Sequence, residues 1–148
     1  MIKIALLSLA AVGVLSWGWQ SAIEARSAEE AAVRVPIENY FKGHATGDGA
    51  YIRKAFHPAA KVFAMRDGKL LELTAEEFAS RFDGKPPADE AERKRRIESI
   101  DITGNAAVVK VVLDYPQVKF TDYMSLLKVD GEWKIVNKTF FADRKPGA

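Results

Sequence analysis

Few side chains in this chain carry reactive chemistry, and all are of the acid–base or hydrogen-bonding kind. His44 and His57 are its two imidazoles, and Asp122 is a carboxylate in a strand-like run. Tyr40, Tyr123, Ser125, Asn137 and Trp133 add hydroxyl, amide and indole groups that could line a binding pocket. A buried carboxylate beside a hydroxyl can serve as a general base. Two histidines with no carboxylates at matching spacing do not make a metal motif. The absence of cysteine removes thiolate nucleophiles, thiolate metal sites and disulfide staples. No residue pattern specifies a cofactor.

Whether Asp122 faces a pocket depends on one hairpin. The run from Val118 to Phe140 is two half-apolar stretches around Asp130-Gly131, a pair that favours a tight turn because both positions accept positive φ. In the second stretch Lys134 and Lys138 alternate with Trp133, Ile135, Asn137 and Thr139, so the latter set is expected to face inward. A two-residue turn pairs Asn137 with Met124 and Thr139 with Asp122, and turns Asp122 inward. A three-residue turn with Gly131 as a bulge pairs Asn137 with Tyr123 and sends Asp122 outward, opposite Lys138. The second register also sets Lys128 opposite Glu132, giving two opposite-charge pairs, and is preferred on that ground. It makes Tyr123, Ser125 and Asn137 the polar lining and leaves Asp122 as a surface ion pair.

The elements that must position these groups can be read along the chain. Ser27-Ala28-Glu29-Glu30 is a plausible helix start, with acids in the first turn, and Ala32, Val33, Ile37, Tyr40 and Phe41 recur at helical spacing up to Gly43. Pro36 lies inside that pattern, so the helix either begins later than Ala28 or bends. A short helix follows from Ala50 to about Phe56. Residues 61 to 73 read as strand, Asp67-Gly68 turn and strand, and Thr74 with Glu77 forms a capping-box pattern opening a third helix through Phe78 and Phe82. After a charged segment from Asp89 to Arg96 come Ile97 to Thr103, a Gly104-Asn105 turn, and a strand from Ala106 to Tyr115, where Pro116 marks a bulge or an edge. Arg93-Lys94-Arg95-Arg96 follows Asp89, Glu90 and Glu92 and lacks interleaved aromatics, so it reads as a solvated charged loop and not as a nucleic-acid patch. Tyr40, Phe41, Phe56, Phe63, Phe78 and Phe82 are most simply core, with stacking on a planar ligand as the alternative.

Helices first, then strands joined by hairpins, is an α+β order. The Phe56-His57-Pro58-Ala59-Ala60 step, the Asp122-Tyr123-Met124-Ser125-Leu126-Leu127 strand and Gly131-Glu132-Trp133-Lys134-Ile135-Val136-Asn137-Lys138 carry a resemblance to the putative lumazine-binding branch of the nuclear transport factor 2-like superfamily, over roughly residues 31 to 143. The resemblance implies a cone-shaped, curved antiparallel sheet wrapped on about three N-terminal helices, a pocket between the first helix and the sheet, and homodimers formed through the outer sheet face. It implies a small apolar or planar ligand, of pteridine or flavin type by the family label. It also implies an alternative: dehydratases of the superfamily use a His and Asp pair in the cavity, which here would be His57 or His44 with Asp122. Steroid isomerase relatives need a carboxylate in the early strands, and Val62-Phe63-Ala64-Met65 offers none. A structural domain with a filled cavity is the third reading.

Lys3 precedes an uncharged run from Ile4 to Trp19, followed by Ala25-Arg26-Ser27-Ala28. The run is too short to span a bilayer, which takes about 20 apolar residues, and is flanked as a signal peptide is. Cleavage after Ser27 is expected, leaving residues 28 to 148 as one exported domain, periplasmic or secreted. An uncleaved anchor, suggested by Trp17 and Trp19, is the alternative. Without Lys3, Glu24 and Arg26, the whole chain's 22 basic and 20 acidic side chains come close to balance. No strong field is left to attract nucleic acid or an anionic membrane.

Overall fold

The computed structural model describes residues 11–147. Helix α1 (Ala11–Thr46) is followed by α2 (Gly49–Ala55), β1 (Phe56–Arg66), β2 (Lys69–Thr74), α3 (Ala75–Ala79), a 3-10 turn (Glu90–Glu92), β3 (Lys94–Thr103), β4 (Ala106–Asp114), β5 (Val118–Val129) and β6 (Glu132–Arg144). The strands form one curved sheet in the order β2-β1-β6-β5-β4-β3, unclosed because its edge strands β2 and β3 do not meet. All neighbours are antiparallel except β1 and β6, which run parallel. That pairing joins the start of the sheet to its end. It brings the chain's last strand to the centre, where both flanks are covered.

Helix α1 crosses the concave face of this sheet. Val33, Ile37 and Tyr40 recur on one side and are fully buried, packed with Ile52, Phe56, Val62, Val109, Val111, Met124, Leu126 and Ile135. Burial of such a stripe outweighs the hydrogen bond lost at Pro36, which is itself buried within the continuous helix. The helix therefore does not start after Ala28, and it runs on through the proline to Thr46. Part of the expected leader, residues 1 to 10, lies outside the described residues. From Trp19 to Ala28 the helix is exposed, and its first buried position is Val33.

Local signals placed most of the turns. Asp67-Gly68 and Asp130-Gly131 both adopt positive φ at their two positions. The Thr74 hydroxyl accepts from the Glu77 N–H while the Glu77 carboxylate accepts from the Thr74 N–H, a complete capping box. Thr74→Ala is expected to lower stability by about 1 kcal/mol, measured by urea denaturation; no change would show that α3 is held by packing alone. Helix α3 ends at Ala79, short of Phe82. Pro116 lies in the turn between β4 and β5, where the Tyr115 N–H donates to the Val118 carbonyl. A residue with no N–H donor fits there better than in a strand.

The basic run is not a loop. Its last three residues, Lys94 to Arg96, begin β3, and the Arg95 guanidinium, nearly buried, donates two hydrogen bonds to Glu90 and one to the Tyr115 hydroxyl. The preceding acids are its partners, and the Tyr115 ring gives Arg93 and Arg95 a face to stack on.

Candidate functional site

Tyr40 and His44 stand one turn apart on α1, on the face turned toward the sheet. Beneath them β5 contributes Asp122 and β6 contributes Lys138. The Tyr40 hydroxyl donates to Asp122 Oδ2 at 2.7 Å and accepts from Lys138 Nζ at 2.7 Å. Lys138 Nζ lies 3.3 Å from Asp122 Oδ1, an ion-pair contact without hydrogen-bond alignment. All three side chains are shut away from solvent, Asp122 at 0% and Lys138 at 3% relative exposure. Ring centroids of Phe140, Tyr40 and Phe78 surround the ammonium at 4.5, 5.0 and 5.1 Å. Aromatic faces favour a cation held there.

Burial dominates the electrostatics. It pushes the Tyr40 phenol well above its usual range, and the adjacent Asp122 charge pushes the same way. It pushes the Lys138 ammonium below its usual range, against the pull of Asp122. His44 packs edge-on to Tyr40 and Phe82 with centroids at 4.6 and 5.0 Å, and its Nε2 is buried without a partner. Burial, with the Lys138, Arg95 and Arg93 charges, holds that imidazole well below its usual range and so neutral at pH 7. A folded-state depression of this kind means the unfolded chain takes up the proton first. Its stabilisation is thus complete above about pH 6.5, the ordinary histidine value, and is lost as the pH falls below it. The loss in urea midpoint between pH 7.5 and pH 5 should shrink in His44→Phe. An equal loss in both proteins would show that folding leaves the proton affinity of His44 unchanged.

Tyr40, His44 and Lys138 border a cavity of about 150 Å³, lined also by Leu73, Phe78 and Phe140 among others. It shares Arg66, Phe120 and Phe140 with a wider open hollow of about 490 Å³ at the edge of β1 and β6. Arg66 and Arg81 border the cavity, exposed and without ion-pair partners among the described residues. The result is an apolar chamber with a phenol and an amine in its wall, both paired with the Asp122 carboxylate behind them. Such a group can hold a polar head and pass protons to it.

The structure joins Tyr40, His44 and Asp122 in one place and separates the other expected residues. Asp122 faces inward, against the preferred register. The hairpin has a two-residue turn, with Val129 opposite Glu132 and Leu126 opposite Ile135, but a β-bulge at Val136 then sets Ser125 opposite Asn137 and Met124 opposite Lys138. Neither simple register applies beyond the bulge. One extra residue exchanges the two faces, so Lys138 and Phe140 turn in while Asn137 and Thr139 turn out. Tyr123, Ser125 and Asn137 therefore do not line the cavity; they lie on the outer face, Tyr123 half exposed beside Lys110. Lys128 stands opposite Trp133 and not Glu132, and its Nζ reaches Glu29 on α1. Trp133 is buried away from the cavity, its indole N–H donating to Glu29 at 3.0 Å, beside a separate hollow bordered by Ala32, Pro36 and Lys54. His57 accepts from the Ala59 N–H in the irregular first part of β1, a local structural role.

Lys138 is the residue that strand alternation misplaced. A signal for it exists: Trp133 and Ile135 hold the odd inward positions, then the next large apolar residue is Phe140, an even one. A change of parity within one strand requires a bulge.

A curved, unclosed sheet wrapped on N-terminal helices, with its site between the first helix and the sheet, defines the nuclear transport factor 2-like class. Within it the chain belongs to the family described as putative lumazine-binding, whose model matches residues 28–141. It is similar to a nuclear transport factor 2-like protein of unknown function from Shewanella baltica, at 29% identity and TM-score 0.73, over 80% of this chain and 97% of that one. A second such structure, from Silicibacter pomeroyi, has 24% identity and TM-score 0.71 over 80% and 98%. Among curated proteins, "Aldolase FrzH" of Cladobotryum sp is 28% identical over 117 residues, 77% of this chain and 91% of that protein.

Proposed function

We propose that this protein is a small-molecule-binding domain that takes a compact, mostly apolar molecule into the chamber between α1 and the sheet, with its polar end toward Lys138, Tyr40 and Asp122. The observation that carries this reading is the pairing of an apolar lining with a buried charged group bordering empty space. A group of that kind otherwise has only its desolvation cost. The volume suits a molecule of one ring or a short chain, smaller than a pteridine or flavin with substituents. Native mass spectrometry of protein purified gently from its own host is expected to show a discrete extra mass, lost in Leu73→Trp, which fills the chamber. An unliganded wild-type protein whose melting temperature matches that of Leu73→Trp in every metabolite extract tried would count against it.

A second reading is favoured by the same group of side chains. Lys138, Tyr40 and Asp122 form a continuous proton path, with His44 beside it, and a relative bears the name aldolase. In this reading Asp122 and Tyr40 perform acid–base chemistry on the bound molecule; His57 takes no part. Turnover surviving unchanged in a folded Tyr40→Phe protein would remove it.

We also propose export, with cleavage after Ser27, and assembly of two copies through the outer sheet face. Exposure of the helix from Trp19 to Ala28 supports the first, because its removal uncovers no core. Among the described residues no helix is long and apolar enough to cross a membrane. Val108, Tyr123, Leu127 and Phe141 support the second, being exposed apolar residues on one face of β4, β5 and β6. The same mass spectra report the N-terminal residue and the oligomeric state. A full-length monomer would contradict both.

A further inference from the structure

Lys138 is an amine where packing alone would favour a hydrocarbon. Sequestering its charge is costly, and a buried ion pair can be replaced by apolar residues of similar volume without loss of stability. Lys138 nevertheless lines the chamber, and its Nζ lies among the Tyr40, Phe78 and Phe140 rings that line it too. Resting on the binding reading above, we infer that Lys138 is a nucleophile toward small aldehydes and ketones, its Nζ joining the carbonyl carbon of a molecule seated in the chamber as an iminium.

The surrounding groups fit each step of that bond. Asp122 Oδ1 has no hydrogen-bond donor and lies 3.3 Å from Nζ, so it can take a proton from the ammonium. The free amine adds to the carbonyl carbon, the C=O π pair moves to oxygen, and that oxygen takes the proton back from Asp122. Asp122 then removes one proton from the nitrogen and returns it to the hydroxyl, which leaves as water while the nitrogen lone pair forms C=N. Overall an ammonium and a carbonyl give a protonated imine and one water, with no other reactant. The Tyr40 hydroxyl, bonded to both partners, holds the carboxylate and the amine in place throughout.

Charge is conserved at its location. The iminium carries the same positive charge as the ammonium, beside the same carboxylate and within the same three aromatic faces. A site that already holds a cation at that point needs no reorganisation to hold the product. Burial that lowers the basicity of the amine increases the fraction free to attack. Exposed lysines such as Lys69 and Lys119 have no such environment.

The test uses the full chain with cyclopentanone, a ring that fits the chamber, followed by borohydride reduction and peptide mapping. The expected result is a cyclopentyl group on Lys138 at a level roughly tenfold or more above Lys69 and Lys119. Lys138→Arg, which keeps the cation but cannot form an imine, should lose the label at that peptide and remain folded. Cyclopentanol, which has no carbonyl, serves as the binding control by ligand-observed NMR. Binding of both compounds with Lys138 unlabelled overturns the covalent inference and leaves the binding reading standing. Binding of neither compound, with no label, overturns both for molecules of this size.

Discussion

Asp122→Asn is expected to destabilise the protein by about 3–5 kcal/mol, because it removes the carboxylate paired with a buried ammonium. The amide is nearly isosteric, so the loss measures charge compensation and not volume. Lys138→Met should cost a similar amount for the opposite reason, leaving Asp122 charged with the Tyr40 hydroxyl as its one donor. The double variant Asp122→Leu/Lys138→Met removes both charges and should recover most of that loss, while abolishing any binding or chemistry at the chamber. Urea denaturation of the three proteins beside the wild type at pH 7 measures each loss. If Asp122→Asn costs less than about 1 kcal/mol, the pair is hydrated and not shut away from solvent.

Gly47→Ala is expected to be nearly as damaging, for a backbone reason. Gly47 follows the last turn of α1 at φ +68°, and a Cβ added there would overlap the carbonyl group of Lys85, while the Gly84 N–H donates to the Gly47 carbonyl at 2.7 Å. This contact ties the segment after α3 to the end of α1 and so keeps Phe78 and Phe82 against His44. Left-handed strain alone costs about 1 kcal/mol. Overlap with backbone adds to it, since no side chain can rotate away, and the total should reach about 3 kcal/mol. Gly68→Ala is the control: φ is +73°, but nothing lies within 4 Å of the added carbon. Equal losses at the two positions, by thermal melting, would show that the Gly47 contact is not maintained in solution.

The particular elements show where sequence reasoning holds. Asp-Gly at 67–68 and 130–131, the Thr74/Glu77 box and the apolar spacing of Val33, Ile37 and Tyr40 are local devices whose physics acts within a few residues. They placed the hairpins, the start of α3 and the buried face of α1. The order of elements and the quoted motifs were enough for the α+β cone and its family. Tyr40, His44 and Asp122 were legible as candidates because their chemistry is visible in the residue types.

Which of those candidates meet was decided elsewhere. Tyr40 and Asp122 are 82 positions apart, and their hydrogen bond exists only because α1 is laid across β5. The parallel pairing of β1 with β6 likewise joins distant segments and has no local signature. Most consequential is the single bulge residue Val136. Side chains on a strand alternate, so one inserted residue sends Asn137 to solvent and Lys138 to the core, and it moves the site from a neutral amide to a buried ion pair. The local code thus determined the fold and the inventory of reactive groups. Tertiary packing chose the face on which they act, because the free energy that settles a register is gained across the whole sheet and against the helix, not within the strand.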